Sequence, residues 1–534
     1  MSRPERSWPF PGGLKLDEHK AESTGTPIRP APVPAQLVYP LQQHIGAPAR
    51  PQVQVGDRVL RGQLIAAADG YVSAPVHAAS SGTVSAIEAR PVPHPSGLSA
   101  DCIVIDTDGR DEAVPAVAPL DPAQAEALEP AEIRERVRAA GIVGLGGAAF
   151  PSFIKLNPGC AIDTLILNGA ECEPYISCDQ MLMAESAETI VAGARIMMRA
   201  IGAPRCVIGV EDNKPESIRA LRKASGGHAD ISVHVVPTRY PPGGEKQLIM
   251  ALTGREVPSE GLPLDIGIVC HNVGTAVAVH EAIVHGRALT ERVVTVTGAV
   301  AAPANFRVRL GTPVAELLAV AGGRTVADAR LIMGGPMMGF ELAGDTVPVI
   351  KATNCLLTLA EPNAPATDDA MPCIRCGACV EVCPAQLLPQ QLYWHARAGE
   401  YDDTQRYGLF DCIECGCCAQ VCPSHLPLVQ FYRNAKTEIW AEERARRKAD
   451  AARERHESRQ QRLEREAAER EAARAAKKAA LKARQAAKAA ASDDSTGAPP
   501  ASPNAGADPS TDPVAAAIEA AKRRKAARDA GEDS

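Results

Sequence analysis

The 534-residue sequence lacks long hydrophobic runs and is poor in aromatic side chains, which make up only 3% of it. It nowhere holds about 18 consecutive apolar residues, and its first segment, MSRPERSWPF, carries charge without an apolar run behind it. We therefore expect neither a secretory signal peptide nor a membrane-spanning helix. Hydrophobic residues still make up 45% and charged residues 23%, which is the balance of a soluble globular chain. At roughly 150 residues per domain, this length predicts three to four domains.

Excess basic charge is absent from the body of the chain. The net charge is -7, and residues 441–534 hold 21 Lys and Arg against 17 Asp and Glu, which leaves -11 for residues 1–440. A nucleic-acid binder needs a basic face. The acidic body therefore argues against a nucleic-acid partner.

The C-terminal region lacks an apolar stripe. Between residues 441 and 490 the only large aliphatic residues are Leu463 and Leu481, in a sequence of Ala, Arg, Lys and Glu. This composition predicts a solvated helix of up to ~75 Å, and residues 491–517 have a disordered composition. One interpretation is a charged helix that serves solubility. The other is an anchor to partner subunits or anionic lipid, since residues 441–490 hold 16 Lys and Arg against nine Asp and Glu.

The body divides by its hydrophobic pattern. Residues 28–115 carry short alternating runs separated by turn residues, which predict a small all-β unit. Residues 130–290 alternate buried strands with amphipathic helices, which predicts an α/β domain with a largely parallel sheet. From residue 291 short strands and one short helix predict a compact α+β unit of about 70 residues.

Sixteen cysteines in a chain without an export signal should stay reduced, so their spacing decides their role. Eight of them form two identical runs, each with steps of three, three and four residues and a proline after the last cysteine. This is a duplicated ferredoxin motif, in which the fourth cysteine of each run ligates the other cluster. We assign one 4Fe-4S cluster, here called the first set, to Cys373, Cys376, Cys379 and Cys422. The second set is Cys412, Cys415, Cys418 and Cys383.

Two zinc sites are the alternative, because zinc also uses pairs of cysteines two residues apart. A third cysteine at the next step of three, followed by Cys-Pro, is uncharacteristic of zinc and favours the clusters. Cys417 has no counterpart in the first run, where Ala378 stands. We interpret it as a packed small residue and not as a ligand.

The α/β segment carries GIVGLGGAAFPSFIKL at 141–156, LNGAECEPYISCD at 167–179, YPPGGEKQL at 240–248 and CHNVGTAVAVHEAI at 270–283. In this order the four stretches resemble the flavoprotein module of the NADH-oxidising subunit of complex I. With MGGPMMG at 333–339 and the doubled ferredoxin motif, residues 8 to about 440 resemble more closely the RnfC (RsxC) family, which belongs to the Rnf (Rsx) ion-translocating electron-transport complex.

The resemblance implies a fold and a set of domains. It implies a multidomain α/β and α+β protein with a barrel-sandwich (biotinyl/lipoyl-like) domain at 1–115, a Rossmann-like flavoprotein domain at 130–290 and a β-grasp (SLBB-like) domain at 291–362. A bacterial ferredoxin-like double-cluster domain at 366–434 and a helical charged tail at 435–534 complete it. The barrel-sandwich hairpin lacks the lysine of a true carrier domain, which favours a docking or structural role. His44 and His77 are there interpreted as structural.

The resemblance also implies a flavin and nucleotide site. Gly144, Gly146, Gly147 and Phe150 would form the wall against FMN, with Lys155 near its phosphate or ring carbonyls. Asn168 would contact the flavin and Glu173 would face the nicotinamide nucleotide. The other residues carried over are Gly243, Glu245, Asn272 and Thr275. For Glu171 and Glu173 the alternative is a solvated pair on a loop.

The sequence departs from the family pattern at four positions. Ala149 and Ser152 stand where the family usually has Gly and Thr, Gly244 replaces an acid, and His271 replaces an Asn. The methyl group of Ala149 could crowd a flat ring. A flavin-free electron-relay scaffold therefore stays open as an alternative, as does a soluble cobalamin-reductase-like flavoprotein.

The function implied is that of a redox subunit in a translocase. FMN can exchange hydride with NAD(H) and single electrons with iron-sulfur clusters, which explains why one chain would hold all three. We expect other subunits of the Rnf/Rsx complex as partners, ferredoxin as an indirect one, and a peripheral place on the cytoplasmic face of the bacterial inner membrane.

Overall fold

The computed structural model describes residues 7–115, 118–360 and 370–492. The chain forms two compact units, Met1–Glu442 and Glu443–Ser534. Within the described residues, no helix combines the length and the apolar character that crossing a membrane requires.

The first part of the larger unit is built from two antiparallel sheets. In both, residues that alternate along a strand point to opposite faces, and Leu37, Tyr39, Ile103 and Ile105 fill the core between them with almost no exposure. The first sheet contains Gln36–Pro40, Ser99–Thr107, Gly82–Pro91 and Arg58–Val59. The second contains Arg50–Pro51, Leu64–Ala67 and Val76–His77.

The N-terminal segment leaves this β unit and crosses to other parts of the body. Strand Arg29–Pro30 pairs in parallel with residues 306–307 of the later α+β sheet. The N–H of Trp8 donates to Ala251 O at 3.0 Å, and Leu14 pairs with Tyr240. Short helix Ala21–Thr24 follows. Residues 8–30 thus connect regions that the hydrophobic pattern treats as separate.

The α/β part contains a four-stranded sheet in which every pair is parallel. Its order is Ile231–Val236, Cys206–Glu211, Thr164–Gly169, Ile268–Asn272. The largely parallel sheet predicted from the alternation of strands and helices is therefore present. Its helices are Pro122–Ala127, Pro130–Ala139, Ser152–Lys155, Cys178–Glu185, Ala187–Ile201, Pro215–Ser225, Glu245–Thr253 and Val273–Val284, with a 3-10 turn at Pro263–Ile266.

The α+β part is a six-stranded mixed sheet covered by helix Val314–Val320. Val294, Val296, Phe306 and Leu317 pack between sheet and helix. Its strand order is Arg29–Pro30, Ala304–Arg309, Glu291–Gly298, Cys355–Leu359, Arg330–Met333, Phe340–Glu341.

The cysteine-rich part repeats one local structure. A residue in the left-handed conformation, Gly377 in one run and Gly416 in the other, precedes a single helical turn, Ala378–Glu381 or Cys417–Gln420. The remaining elements there are helices Pro389–Ala398 and Tyr401–Arg406, a 3-10 turn at Leu409–Asp411 and the start of helix Leu428–Ser492.

In the smaller unit the described residues, 443–492, are helical. Its side chains up to residue 490 are almost all exposed, with surface ion pairs such as Arg447–Glu443 and Arg462–Glu466. The sequence predicts an exposed helix here, because this segment has no apolar stripe. Most of the segment of disordered composition, from residue 493 onward, lies outside the described residues.

Candidate functional site

The glycine-rich segment forms a tight turn between helix Pro130–Ala139 and helix Ser152–Lys155. The N–H of Gly144 donates to Phe150 O at 2.8 Å, and the N–H of Ala149 donates to Gly144 O at 3.1 Å. Gly147 has a φ of +106° and open space where a side chain would begin. Residues 146–148 are exposed, so the turn presents bare backbone to its surroundings. Gly144, Gly146 and Gly147 thus lie in one turn, and their role as a wall against FMN stays a prediction.

Ala149 adopts a conformation that favours glycine. Its φ is +48° and its side chain is 5% exposed. A residue with a Cβ in this left-handed region is strained by roughly 1–2 kcal/mol. A glycine, which the family usually has at this position, would adopt this backbone conformation without strain. This is a second reason to expect glycine here, besides the crowding of a flat ring by the Ala149 methyl group.

Helix Val273–Val284 begins against the same turn. Thr275 Oγ1 accepts from the N–H of Leu145 at 3.0 Å, and the Cβ that a side chain at Gly146 would add lies 3.3 Å from Asn272 Cβ. Asn272 also caps the helix by accepting from the N–H of Gly274 at 2.8 Å. The structure therefore brings Asn272 and Thr275 to the glycine-rich turn.

Asn168 and Asn272 are register partners at the carboxyl ends of two neighbouring parallel strands. Ligands of open parallel sheets bind at this edge. Asn168 Nδ2 donates to Gly243 O at 2.8 Å, and Asn168 Oδ1 accepts from the N–H of Ala170 at 3.0 Å. Asn168 thereby joins the 240–248 segment to the sheet edge.

Lys155 and Glu245 form an ion pair of 2.6 Å next to this edge, and Lys155 Nζ also donates to Cys270 O at 3.1 Å. Burial lowers the pKa of Lys155, but the Glu245 carboxylate and Cys270 raise it by more, and the net shift of the pKa is upward.

His271 follows Cys270 at the same sheet edge. Burial lowers the pKa of His271 to about 3, so its imidazole is neutral.

Three buried polar atoms on these segments have no hydrogen-bond partner among the described residues: Ser152 Oγ, Gln247 Oε1 and His271 Nε2. Buried polar atoms are normally paired. Open glycine backbone, a lysine and unpaired polar atoms at one sheet edge fit a large ligand with many polar atoms, and FMN is such a ligand.

Glu171 is buried and is not a solvated loop residue. It is 8% exposed, and its carboxylate accepts from the N–H groups of Asp179 and Gln180 at 2.8 and 3.1 Å. It therefore holds the first turn of helix Cys178–Glu185. Lys20 Nζ donates to the carbonyls of Glu171 and Glu173 at 2.7 and 2.9 Å.

Glu173, which is predicted to face a nucleotide, lies against the MGGPMMG turn. Its carboxylate accepts from the N–H groups of Met337 and Met338 at 3.2 and 2.7 Å. A Cβ at Gly335 would come within 2.2 Å of Glu173 Oε2. The Glu173 carboxylate lies this close to the turn because residue 335 has no side chain. Burial raises the pKa of Glu173 to about 7, against the effect of the two N–H donors.

The second set of cysteines shares one cavity. Cys383, Cys412, Cys415 and Cys418 all line one cavity, whose other walls include Leu387, Val429 and Tyr432. Burial raises the pKa of Cys418, and the neighbouring thiols of Cys412, Cys415 and Cys383 raise it further. Four thiols around one apolar cavity fit a 4Fe-4S cluster, with Cys383 contributed by the other run.

The first set lies closer to solvent. Cys376 is exposed, and Cys373, Cys379 and Cys422 are partly buried. Burial raises the pKa of Cys379, and the thiols of Cys376 and Cys422 raise it further. Cys422 is thus a neighbour of the run to which it does not belong, and the crossed assignment stays a prediction. Cys417 is fully buried beside Tyr240 and Cys415.

The second set touches the proposed flavin segments directly. Tyr240 Oη donates to Cys415 O at 2.7 Å. A Cβ at Gly244 would lie 3.4 Å from Ile413 Cδ1, and one at Gly416 would lie 2.8 Å from Met337 O. The loop that carries Gly243 and Glu245 and the turn that holds Glu173 therefore both pack on the second cysteine run.

The start of helix Leu428–Ser492 secures that run from the other side. Glu414 accepts from Arg433 at 2.9 Å and from Lys436 at 2.8 Å, and Lys436 Nζ also donates to Cys412 O at 2.7 Å. Arg433 and Lys436 belong to the stretch FYRNAK at 431–436, which follows the second cysteine run in the sequence. Sequence reasoning did not assign them a role.

Two buried basic side chains from the α+β part hold the glycine-rich turn, and sequence reasoning missed both. Lys351 Nζ donates to Gly141 O and Pro75 O, each at 2.7 Å. Arg292 donates to Leu145 O at 3.1 Å and to the carbonyl of Lys351. No motif marks these positions, because their partners are backbone carbonyls that only the fold brings near.

Comparisons with known proteins divide the chain in the same way. Residues 8–110 match the RnfC barrel sandwich hybrid domain, residues 137–281 the Nuo51 FMN-binding domain, residues 293–341 the SLBB domain and residues 372–426 the 4Fe-4S dicluster domain. The family models thus support FMN and 4Fe-4S clusters as the cofactors.

Two curated relatives carry the name of the C subunit of an ion-translocating oxidoreductase complex. The protein from Pseudomonas aeruginosa is 51% identical over 468 residues, which are 86% of this chain and 60% of the relative. The protein from Erwinia tasmaniensis is 48% identical over 472 residues, which are 88% of this chain and 58% of the relative. The chain therefore spans about 60% of the length of these relatives.

Two solved structures of an NAD+-reducing NiFe-hydrogenase are also similar. The air-oxidized state is 19% identical with a TM-score of 0.41, covering 55% of this chain and 60% of that chain. The H2-reduced state is 20% identical with a TM-score of 0.42, covering 59% and 61%. At these TM-scores the likeness supports no conclusion about function.

Proposed function

Because this chain is homologous along most of its length to the C subunit of the ion-translocating oxidoreductase complex, we propose that it is the NAD(H)-interacting electron-transfer subunit of such a complex. In this proposal it links hydride exchange at FMN to two 4Fe-4S clusters and then to partner subunits. The homology in sequence and the FMN-binding and dicluster domains support it.

The proposed division of the chain follows the sequence interpretation. It has a barrel-sandwich domain at 1–115, a Rossmann-like domain at 130–290, a β-grasp domain at 291–362, a double-cluster domain at 366–434 and a charged tail at 435–534. The parallel sheet, the mixed sheet and the duplicated cysteine turns support these names.

The flavin would lie at the sheet edge and the glycine-rich turn. FMN, when bound, supplies the exchange between a two-electron hydride donor and one-electron centres. Lys155 offers a fixed positive charge there, and Asn168 and Asn272 hold the edge in place. The residues proposed to hold FMN and NAD(H) are Gly144, Gly146, Gly147, Phe150, Lys155, Asn168, Glu173, Gly243, Glu245, Asn272 and Thr275.

The observation that carries the proposal is the contact between Tyr240 and Cys415. It joins the loop of the FMN-binding segment to the second cysteine set without any intervening element. We infer that a cluster held by the second set exchanges electrons with the flavin segment, and that one held by the more exposed first set exchanges them with a partner. Cys376, exposed in the first set, supports this order.

The partners follow from the homology. They would be the other subunits of an Rnf/Rsx-type complex, with ferredoxin reached through them, and the chain would lie peripherally on the cytoplasmic face of the bacterial inner membrane. Ion movement would belong to the membrane subunits.

The test uses the full chain, purified without oxygen and mixed with NADH. Electron paramagnetic resonance of the frozen mixture should show reduced 4Fe-4S signals. Asn168→Ala should lose bound flavin and this NADH response while dithionite still reduces both clusters. Asn157→Ala, which changes an exposed asparagine, should behave like the unchanged chain. Clusters that respond to dithionite but never to NADH would contradict the proposal and favour a flavin-free relay.

A further inference from the structure

A second group of metal-ligand side chains lies away from the cysteine runs, at the C-terminal end of helix Val273–Val284. His280, Glu281 and His285 each offer one ligand atom, and these atoms all lie within 4.8 Å of one another. Glu281 and His285 are four residues apart, which is the spacing that puts two side chains on one face of a helix. His285 stands at the residue where the helix ends.

The geometry of the three side chains is already convergent. His280 Nδ1 is 3.7 Å from Glu281 Oε1, and the rings of His280 and His285 have centroids 5.5 Å apart at an angle of 71°. Ligand atoms around a tetrahedral Zn²⁺ are about 3.3 Å apart, given metal–ligand distances of about 2.0–2.2 Å. Small side-chain rotations would therefore close the group around an ion.

The surroundings of His280 Nδ1 favour a bound ion. It is shielded from solvent, makes no hydrogen bond among the described residues, and has Glu281 Oε1 as an ionic neighbour at the longer distance of 3.7 Å. Buried polar atoms are normally satisfied, and an imidazole nitrogen that makes no hydrogen bond is available as a metal ligand.

Glu281 is oriented for the same purpose. Its Oε2 accepts from Arg287 at 2.8 Å, so that Oε1 alone is turned toward His280. Hydrogen bonds of this kind fix the direction of metal-binding carboxylates.

We propose that His280, Glu281 and His285 form a binding site for a divalent transition-metal ion, separate from the iron-sulfur and flavin sites. Two imidazoles and one carboxylate suit Zn²⁺, Ni²⁺ or Co²⁺, and not Ca²⁺ or Mg²⁺, which take oxygen ligands. Three protein ligands leave a fourth position for water. A bound ion would tie the end of the helix to the turn that follows it.

The experiment uses the anaerobically purified full chain and Zn²⁺. Diethyl pyrocarbonate modifies accessible histidines, and mass spectrometry of the peptides reports each rate separately. Zn²⁺ should slow modification of His280 and His285 at least tenfold and leave exposed His94 unchanged. Because each histidine is read by itself, Zn²⁺ bound by free cysteines elsewhere does not affect the result.

Two variants complete the test. Glu281→Gln keeps the shape of the side chain and should abolish the protection of His280 and His285, with one Zn²⁺ fewer retained after dialysis. Glu188→Gln, at an exposed position on another helix, should retain protection. Equal modification rates with and without Zn²⁺, or full protection in Glu281→Gln, would overturn the proposal.

Discussion

Lys351 should make the stability of the folded chain depend on pH in a predictable direction. Its side chain is fully buried, its Nζ donates to Pro75 O and Gly141 O, and burial lowers its pKa from 10.5 to about 7. In the unfolded chain the amine keeps its ordinary pKa. Between these values the unfolded state therefore binds more protons, and the free energy of unfolding must rise as the pH rises.

The size of the effect follows from the shift. At about 1.36 kcal/mol per pKa unit, keeping Lys351 buried costs about 4 kcal/mol at pH 7 and about 2 kcal/mol at pH 9. The folded chain should thus gain about 2 kcal/mol from this group over that range. His44 and His77 lie near Lys351, but burial and this lysine lower their pKa values to about 4 and about 3, below the range tested.

The assay compares the chain with Lys351→Met in urea at pH 7 and pH 9, under anaerobic conditions and with circular dichroism as the readout. The variant leaves two carbonyls unpaired, which costs about 1–3 kcal/mol each, but this cost is the same at both pH values. The difference in unfolding free energy between the two proteins should therefore change by about 2 kcal/mol in favour of the unchanged chain at pH 9.

Lys223→Met provides the control, since Lys223 is exposed in the last turn of its helix. Its difference from the unchanged chain should be the same at pH 7 and pH 9. A pH-independent difference for Lys351→Met as well would mean that the buried amine keeps an ordinary pKa, contrary to this prediction.

Three further changes have defined outcomes. Ala149→Gly should raise the free energy of unfolding by about 1 kcal/mol, because it removes the left-handed strain, and should slow FMN loss measured by flavin fluorescence; a lower stability would contradict this. Cys383→Ser should halve the iron content, from about eight to about four atoms per chain, whereas Cys417→Ala should leave it unchanged; iron loss in the Cys417 variant would contradict the ligand assignment. Tyr240→Phe should reduce stability by about 1 kcal/mol through loss of one hydrogen bond, with the NADH-dependent reduction of the clusters slowed more than their reduction by dithionite; equal effects on the two reductions would argue against this contact as the link.

The architecture could largely be predicted, because periodicity reports which faces of each element are buried. The alternating runs before residue 115, the parallel strands at Thr164–Gly169 and Cys206–Glu211 and the exposed helix after residue 443 all follow from that rule. The path of residues 8–30 could not be predicted in this way. Its contacts are single backbone hydrogen bonds to distant segments, which leave no periodic signal.

The candidate site could be predicted only at residues that belong to a sequence motif. Cysteine spacing predicts both ligand sets, which stay predictions, and the resemblance pointed to residues such as Asn168 and Thr275, which the fold brings to one edge. Lys351, Arg292 and Tyr240 act on backbone carbonyls. Any residue supplies such a carbonyl, and no pattern in the sequence therefore identifies the pairs.

The most direct measurement is the iron, sulfide and flavin content of the anaerobically purified full chain, followed by a titration with NADH in the visible range. The account predicts about eight iron and eight sulfide per chain, bound FMN, and bleaching of that flavin when NADH is added. About eight iron with no flavin and no response to NADH would contradict it.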